Sequence, residues 1–226
     1  IGSASAVCAR YGVPLFAHQQ TLDDLAPLWG EAGLEASLSA GGGHRVLGPA
    51  PAEQVPIDEA HAFELGTAPD GSTGWQLVAH HTPGHAKGHL VFRDSRYGTM
   101  IVGDMVSTIS TIVVDPPEGH LATYLGSLRR LIELGELHGT MPDGQWNLLP
   151  AHGPWTPKGR TAVERYLEHR ALREDSLVRA LDKGLRTPRE LVAHVYADTP
   201  EEVWPIAERS LAAGLEKLRE EGRLQD

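Results

Sequence analysis

The sequence predicts an α/β domain with many loops, followed by a small helical module. Glycine and proline supply 25 and 16 of the 226 residues, well above the ~12% that is usual for their sum, and a plain helical bundle would not use so many. Up to residue 158, segments whose apolar residues recur at helical spacing alternate with the short apolar runs typical of strands. After residue 158, only segments with helical spacing occur. The apolar fraction of 41% and the charged fraction of 22% are those of a globular chain, so disorder and coiled coil are excluded.

The first sixty residues predict a helix, a strand and a second helix. Small and apolar residues predict a helix over 3–11, and the apolar run at 13–18 predicts a short strand. Thr21 is a suitable N-cap for a helix over 21–29, because acidic residues fill the turn that follows it. Residues 39–56, with three consecutive glycines and several prolines, predict a loop or a pair of short hairpin strands.

A group of strands follows, interrupted by one amphipathic helix. We expect strands over 75–80, 89–93 and 99–104, the last with the near-continuous apolar run of a buried strand. The histidine-rich stretch between the first two predicts a turn. Residues 119–136 carry one apolar stripe and predict a helix, and 146–150 predict a further short strand.

After residue 158 the chain predicts helices alone. A long helix is expected over 160–183, a second over 187–196 with Thr187 as N-cap and Pro188 in its first turn, and a third over 203–221. This change of pattern divides the chain into a domain over 1–165 and a C-terminal module over 166–226.

Charge and cysteine content limit the partners and the compartment. The formal net charge is −10, which argues against a broad nucleic-acid surface without excluding a basic cleft. The single cysteine, Cys8, gives no disulfide framework and fits a reducing compartment, so a cytoplasmic location is expected. No apolar run reaches the ~18 residues of a membrane span, so no membrane partner is expected.

Three segments place a metal-binding side chain next to glycine or proline, close to the end of a predicted strand. His85 follows Pro83-Gly84, Asp104 follows Gly103, and His152 precedes Gly153-Pro154. Strand ends with tight turns are where an α/β scaffold displays functional side chains, and glycine beside them leaves room for metal and substrate. Two imidazoles and a carboxylate suit a divalent metal of the zinc type. His85, Asp104 and His152 are therefore the candidate metal ligands.

The same segments resemble the metallo-β-lactamase superfamily in order, spacing and local context. They read HTPGHAKGH at 81–89, GD at 103–104 and PAHGP at 150–154. The resemblance implies an αββα sandwich with a site for two zinc ions at one edge. It also implies that Asp104 bridges both metals, that His152 is a second-site ligand, and that His85 lies beside a first-site ligand across the dinuclear centre.

Further matches resemble one branch of that superfamily. They are PEG at 117–119, the YL and SL pairs at 124–128, and the HR and RE pairs at 169–174. The branch contains lactamase-like endoribonucleases and acyl-carrier-protein thioesterases of polyketide pathways, and it carries a C-terminal winged-helix-like module, which residues 166–226 would form. Residues 176–226 have a net negative charge, which favours packing on the catalytic domain over DNA binding.

One signature of the family does not occur in these 226 residues. The string H-x-H-x-D-H supplies three or four metal ligands and a general-base Asp in the family, and a small-residue helix opening like Ile1-Gly2-Ser3-Ala4 follows it. We therefore expect the first N-terminal strands, that signature and the base to lie upstream of Ile1. The catalytic residues within this sequence are accordingly unknown.

Two other histidines are candidates for the surroundings of the site. The family counterpart of His89 packs behind the ligands and hydrogen-bonds to the backbone, so a supporting role is expected for His89. His169 lies on the long predicted helix, where it belongs either to a solvated face with local ion pairs or to a helix that leans over the mouth of the site.

These observations lead to one main hypothesis and two alternatives. The main hypothesis is a hydrolase in which a hydroxide shared by two zinc ions attacks a thioester or ester, with a small-molecule or acyl-carrier substrate. The alternatives are a single-stranded RNA endonuclease of the same fold and a non-catalytic chain. The sequence leaves undecided whether another divalent metal takes the place of zinc and whether the protein forms a homodimer.

Overall fold

The N-terminal part of the chain packs two short helices beside a two-stranded sheet. We describe residues 3–30, 49–137 and 143–224 of a computed structural model. Helix α1 (Ala4–Tyr11) ends at Gly12, whose φ of +63° suits a residue without Cβ. Strand β1 (Leu15–Ala17) pairs in parallel with β2 (Gln54–Pro56), and α2 (Gln19–Leu25) lies between them in sequence.

The predicted N-cap of the second helix is wrong by three residues. The N-cap of α2 is His18, whose Nδ1 accepts from the backbone N–H of Gln20 at 3.2 Å. Thr21 instead lies inside the helix, and its hydroxyl donates to the carbonyl of Gly88 at 3.0 Å. Most of the predicted loop at 39–56 lies outside the described residues, and its last part forms β2.

A five-stranded sheet forms the centre of the first domain. Its strands are β3 (Ala62–Gly66), β4 (Trp75–His81), β5 (Leu90–Asp94), β6 (Thr99–Gly103) and β7 (Asn147–Pro150), and they lie side by side in that order. The first four pair antiparallel, whereas β6 and β7 pair in parallel. Four of these strands follow the predicted pattern, while β3 was not predicted because its residues alternate poorly and are mostly exposed.

One helix connects the two parallel strands and covers the sheet. Parallel strands need a crossover, which helix α3 (Leu121–Leu137) supplies. Its predicted apolar stripe is buried in the main core together with residues from β5, β6 and β7. The largest enclosed side chains of this core are Met100, Met105, Tyr124, Leu128, Leu131, Trp146 and Leu148.

The C-terminal part consists of helices with a core of their own. Helix α4 (Gly159–Asp182) is followed by α5 (Pro188–Val195), a 3₁₀ turn (Glu201–Val203) and α6 (Trp204–Glu220). Thr187 and Glu190 form a reciprocal capping box at the start of α5, as the N-cap prediction requires. The second core includes Leu177, Leu191, Val192, Leu211 and Leu218.

The predicted domain boundary at 165/166 falls within α4. This helix packs against α3 on one side and α5 on the other, so it links the two cores. The boundary itself stays a prediction. In the part of the chain that the structure describes, no helix is both long and apolar enough to cross a membrane.

Candidate functional site

The candidate metal ligands lie where three loops meet at one edge of the five-stranded sheet. Asp104 directly follows β6 and His152 comes two residues after β7. Because β6 and β7 are parallel, their C-terminal ends lie at the same edge of the sheet. Gly103 and Pro150 are register partners there, and the N–H of Ala151 donates to the carbonyl of Gly103 at 3.0 Å. His85 comes from the turn between β4 and β5. The topology therefore brings together three side chains that are far apart in sequence.

The carboxylate of Asp104 lies between the two imidazoles. Its Oδ2 is 3.6 Å from Nε2 of His85, and its Oδ1 is 3.1 Å from Nε2 of His152. Each carboxylate oxygen thus faces a different histidine. The side chains of His85 and Asp104 are about one-third exposed and that of His152 is 60% exposed, so the cluster is open to a substrate on the His152 side.

A backbone carbonyl fixes the orientation and the tautomer of His85. Nδ1 of His85 is 2.9 Å from the carbonyl oxygen of Val113, and a carbonyl only accepts, so Nδ1 carries the proton. When the ring is neutral, Nε2 therefore presents a lone pair towards Asp104. An N–H bonded to a backbone carbonyl on the far side of the ring is the arrangement typical of metal-binding histidines.

The donor atoms of this cluster fit a metal cation. In neutral His85, the Nε2 lone pair faces an Asp104 oxygen, and two acceptors have no attraction for each other without a cation between them. Asp104 Oδ1 is buried and has no hydrogen bond within the described part of the chain, although His152 Nε2 is near. Buried polar atoms without a partner are rare. Two nitrogens and a bridging carboxylate are the donor set that zinc accepts.

His89 holds the residue that carries the carboxylate. Its Nε2 accepts from the backbone N–H of Asp104 at 3.1 Å, and its Nδ1 is 3.0 Å from the hydroxyl of Thr82. Burial lowers the pKa of His89 to about 4, and the nearby charge of His85 adds to this effect, while Asp104 opposes it. The ring is therefore neutral near pH 7 and can accept at Nε2 while it donates at Nδ1.

Two glycines allow the close contacts around the cluster. A Cβ at Gly103, whose φ is +51°, would lie 2.7 Å from Nε2 of His89. A Cβ at Gly84, whose φ is +127°, would overlap backbone atoms of Tyr124 in α3. These glycines were interpreted from the sequence as space for metal and substrate, whereas in the structure they make room for protein neighbours.

Helices α3 and α4 hold the loop that follows Asp104. The hydroxyl of Tyr124 donates to the carbonyl of Met105 at 2.6 Å, and burial raises the pKa of this tyrosine. The hydroxyl of Tyr166 accepts from the N–H of Ser107 and bonds to the carbonyl of Ser110 at 2.7 Å. Arg170 is buried and donates to the carbonyl of Ile112. The loop is therefore anchored at four points along its length.

His169 lies on the wall of a cavity between this loop and the C-terminal helices. The cavity has a volume of about 530 Å³. Burial lowers the pKa of His169, and the charges of Arg173 and Arg170 add to this, while Asp198 opposes it. The structure thus places His169 at a partly buried position between the two parts of the chain, and not on an entirely solvated face.

A second histidine cluster was not predicted from the sequence. Ligand atoms of His18, Asp58 and His81 lie within 4.8 Å of one another, and the two rings stack with centroids 4.2 Å apart. However, Nδ1 of His18 accepts from Gln20, so the neutral ring carries its proton on Nε2, which faces Asp58 at 3.7 Å. A protonated nitrogen does not bind metal, so this cluster does not fit a metal ion as it stands.

Solved structures share the fold of this chain. A metallo-beta-lactamase family protein from Thermus thermophilus, TTHA1429, matches with a TM-score of 0.68 and 24% identity, over 98% of this chain and 71% of that chain. A beta-lactamase domain protein from Burkholderia ambifaria matches with a TM-score of 0.75 and 22% identity, over 99% of this chain and 66% of that one. At these identities the likeness concerns the fold alone.

Curated relatives extend the likeness to the sequence. The "Beta-lactamase-like protein 2 homolog" of Drosophila melanogaster is 29% identical over 149 residues, which cover 64% of this chain and 46% of that protein. The "Lactamase-like protein nscB" of Arthroderma benhamiae is 30% identical over 176 residues, which cover 72% of this chain and 35% of that protein. The chain spans about half the length of the first of these relatives, and about a third of the second.

Two family models match consecutive parts of the sequence. Residues 187–226 match the beta-lactamase associated winged helix domain, which corresponds to α5, α6 and the segments around them. Residues 1–154 match the metallo-beta-lactamase superfamily, and this match includes His85, Asp104 and His152. Because it covers more than half of the sequence, this chain belongs to the metallo-beta-lactamase superfamily.

Proposed function

We propose that this chain forms part of a zinc-dependent hydrolase that cleaves a thioester or an ester. Members of the superfamily to which it belongs are metal-dependent hydrolases, and the observation that carries the proposal is the position of Asp104 between two imidazoles. Each of its oxygens faces one Nε2, which suits a carboxylate that bridges two ions. His85, Asp104 and His152 would hold the metal, and His89 would keep Asp104 in place through its backbone N–H.

Two zinc ions at this position would supply a nucleophile derived from water near neutral pH and would polarise the substrate carbonyl. The protein's own contribution is positional. His85 is oriented by Val113, and the segment from Asp104 to Val113 is held by Tyr124, Tyr166 and Arg170. A rigid loop of this kind keeps the donor atoms in place, which a metal site requires.

The cavity beside His169 favours an apolar acyl group as one part of the substrate. Its apolar walls combine Ile109, Ile112 and Val113 from the loop with Val203, Ile206 and Ala207 from the C-terminal part. The two arginines of the wall are already engaged, Arg173 with Asp198 and Arg170 with the carbonyl of Ile112. Ile109 and Ile206 are 71% and 48% exposed, so their apolar surface is accessible to a substrate. Val113 also binds His85 through its carbonyl, so the cavity adjoins the metal ligands.

This arrangement supports a substrate that is a small molecule or an acyl group on a carrier. An acyl chain in the cavity would lie against the 109–113 segment, whose Val113 carbonyl holds His85. The thioester or ester class follows from the apolar walls together with the branch resemblance. The single free thiol, Cys8, fits a reducing compartment, so we include a cytoplasmic location in the proposal.

The test combines metal analysis with hydrolysis of a model thioester. We expect elemental mass spectrometry to find about two zinc ions per protein molecule. Hydrolysis of an octanoyl thioester of N-acetylcysteamine should stop when a chelator is added and should resume when zinc is restored. His152→Ala should lower hydrolysis at least about 100-fold with no loss of helical circular dichroism. His194→Ala, which removes an imidazole from α5, is the matched control and should leave the rate unchanged.

The alternatives give different results in the same experiments. A single-stranded RNA endonuclease would cleave an RNA oligonucleotide in a zinc-dependent manner and leave the thioester intact. A non-catalytic chain would bind no zinc and would show no activity that His152→Ala removes. Equal thioester hydrolysis by the wild type and His152→Ala would refute the hydrolase proposal.

A further inference from the structure

A second pocket begins two residues after His152 in the sequence, and it is distinct from the cavity beside His169. It has a volume of about 460 Å³, and its wall includes Thr108, Pro154, Trp155, Lys158, Arg165 and Tyr166. Thr108 joins the pocket to the candidate site, because its N–H donates to the carbonyl of His152 at 3.1 Å and its hydroxyl to that of Pro154 at 2.8 Å. A group in this pocket would therefore be held close to the metal ligands.

The charge of this pocket is opposite to that of the chain. Lys158 and Arg165 both line it and both are exposed, and neither forms an ion pair with any other residue that the structure describes. No Asp or Glu of the described chain contributes to the wall. The whole chain has a net charge of −10, and many of the other cations near its surface pair with a carboxylate, as Arg160 and Arg173 do. Two unpaired cations in one pocket favour an anion.

An aromatic face accompanies these two cations. Trp155 is 62% exposed, whereas the other four tryptophans are buried or half-buried. An indole exposed to water lacks the favourable free energy that its burial in a core would provide. Indole faces stack well on flat rings, and bases bind to such faces in a sequence-tolerant way. The pocket thus offers one stacking surface and two phosphate-binding groups.

We propose that this pocket binds a phosphorylated, ring-bearing group of the nucleotide type, carried by the part of the substrate that leaves after hydrolysis. The proposal rests on the hydrolase function above, since it makes the bound group part of the substrate. Two cations suit one or two phosphates. A nucleic-acid strand would need a longer basic track, and the net charge of the chain opposes such a track.

The test measures binding directly and does not depend on turnover. Isothermal titration calorimetry with adenosine 3′,5′-bisphosphate as the probe should give saturable binding in the presence of a chelator, which prevents phosphate from binding zinc. Ribose 5-phosphate and adenosine should each bind at least about tenfold more weakly, because the first lacks the purine base and one phosphate and the second lacks both phosphates. A twelve-nucleotide single-stranded RNA should bind no more tightly per site than the bisphosphate.

Variants assign the binding to this pocket. The double substitution Lys158→Ala with Arg165→Ala should weaken binding of the bisphosphate at least about tenfold, and Trp155→Leu should weaken it several-fold without changing the affinity for ribose 5-phosphate. Lys183→Ala with Arg189→Ala is the matched control, because it removes two exposed, unpaired cations elsewhere in the described chain and changes the net charge equally. This control should bind the bisphosphate as the wild type does.

Three results would overturn the proposal. They are no binding of the bisphosphate, equal weakening by both double variants, and an affinity for RNA that rises steeply with its length. Failure here is separate from failure of the hydrolase function. The N-acetylcysteamine thioester carries no phosphate, so its zinc-dependent hydrolysis would continue even if the pocket bound no nucleotide.

Discussion

The backbone N–H of Asp104 donates to Nε2 of His89 at 3.1 Å, so His89 helps to set the position of the residue that lies between the candidate metal ligands His85 and His152. The other nitrogen of His89 lies 3.0 Å from the hydroxyl of Thr82, which is buried at the end of β4. The sheet is thereby connected to the carboxylate through one neutral imidazole. Contacts of this kind, behind the ligands, commonly control metal affinity.

Replacement of His89 by leucine should weaken zinc binding. Leucine fills a similar volume but cannot accept from the N–H of Asp104, so the carboxylate would lose its fixed position. We expect the zinc affinity to fall by about 10–100-fold, measured by competition with a chromogenic chelator. His61→Leu, which changes a partly buried histidine that contacts Phe63 edge to face, should leave the affinity unchanged. Equal affinities for His89→Leu and the wild type would contradict the role assigned to this ring.

A methyl group at position 103 should disturb the same contact by steric means. The Cβ of Gly103→Ala would lie 2.7 Å from Nε2 of His89 at a φ of +51°. Gly12→Ala is its control, because Gly12 has a similar φ of +63° but open space around it. We expect Gly12→Ala to cost about 1 kcal/mol of unfolding free energy from the backbone alone, and Gly103→Ala to cost clearly more, in urea titrations. Equal costs would show that the contact with His89 is unimportant.

The regular elements of the first domain could be predicted because their patterns are local. Strands β4, β5, β6 and β7 and helix α3 have short apolar runs or a single stripe, and both signals depend on periodicity alone. The acidic residues after Thr21 predict it as the N-cap of α2, but His18 occupies that position and the hydroxyl of Thr21 bonds to Gly88, 67 residues away. Such a contact leaves no trace in the local sequence.

The candidate site was predicted as three residues, but its supports were not. His85, Asp104 and His152 each stand beside glycine or proline, and this is a visible signal. The carbonyl of Val113 and the hydroxyls of Tyr124 and Tyr166 carry no such signal, since a valine in an apolar run and tyrosines on helices are equally typical of a core. The pocket around Trp155 likewise depends on the start of α4 folding against the loop, which only the tertiary structure reveals.

Removal of the Tyr124 hydroxyl should destabilise the fold at the loop after Asp104. The hydroxyl donates to the carbonyl of Met105 at 2.6 Å in a fully enclosed position, so Tyr124→Phe leaves a buried acceptor without a partner. The expected loss of unfolding free energy is about 1–3 kcal/mol, measured by urea unfolding. Tyr97→Phe removes a hydroxyl from a tyrosine that is 48% exposed and should cost less than about 0.5 kcal/mol. Similar losses for both variants would contradict the prediction.

The ion pairs between α4 and α6 should make the C-terminal part sensitive to acid. Burial alone would raise the pKa of Glu174, but hydrogen bonds from Lys217 and Arg223 outweigh it and hold that pKa below its ordinary value of 4.5. The unfolded chain therefore binds a proton at Glu174 more readily than the folded chain does. The stabilisation is fully present above about pH 4.5 and is lost as the pH falls through the lower, folded-state pKa. Urea unfolding from pH 7 to pH 3 measures this dependence.

Glu174→Gln should remove that part of the pH dependence. At pH 7 we expect the variant to be less stable than the wild type by about 1 kcal/mol, because the hydrogen bonds from Lys217 and Arg223 no longer reach a charged carboxylate. The loss is small because solvent partly screens this site. As the pH falls, the difference in stability between the two proteins should become smaller, since protonation of the wild-type carboxylate removes its charge. Glu133→Gln, at an exposed position on α3, is the control and should follow the wild type throughout. A stability difference for Glu174→Gln that stays constant from pH 7 to pH 3 would mean that packing, and not the charge of Glu174, joins α4 to α6.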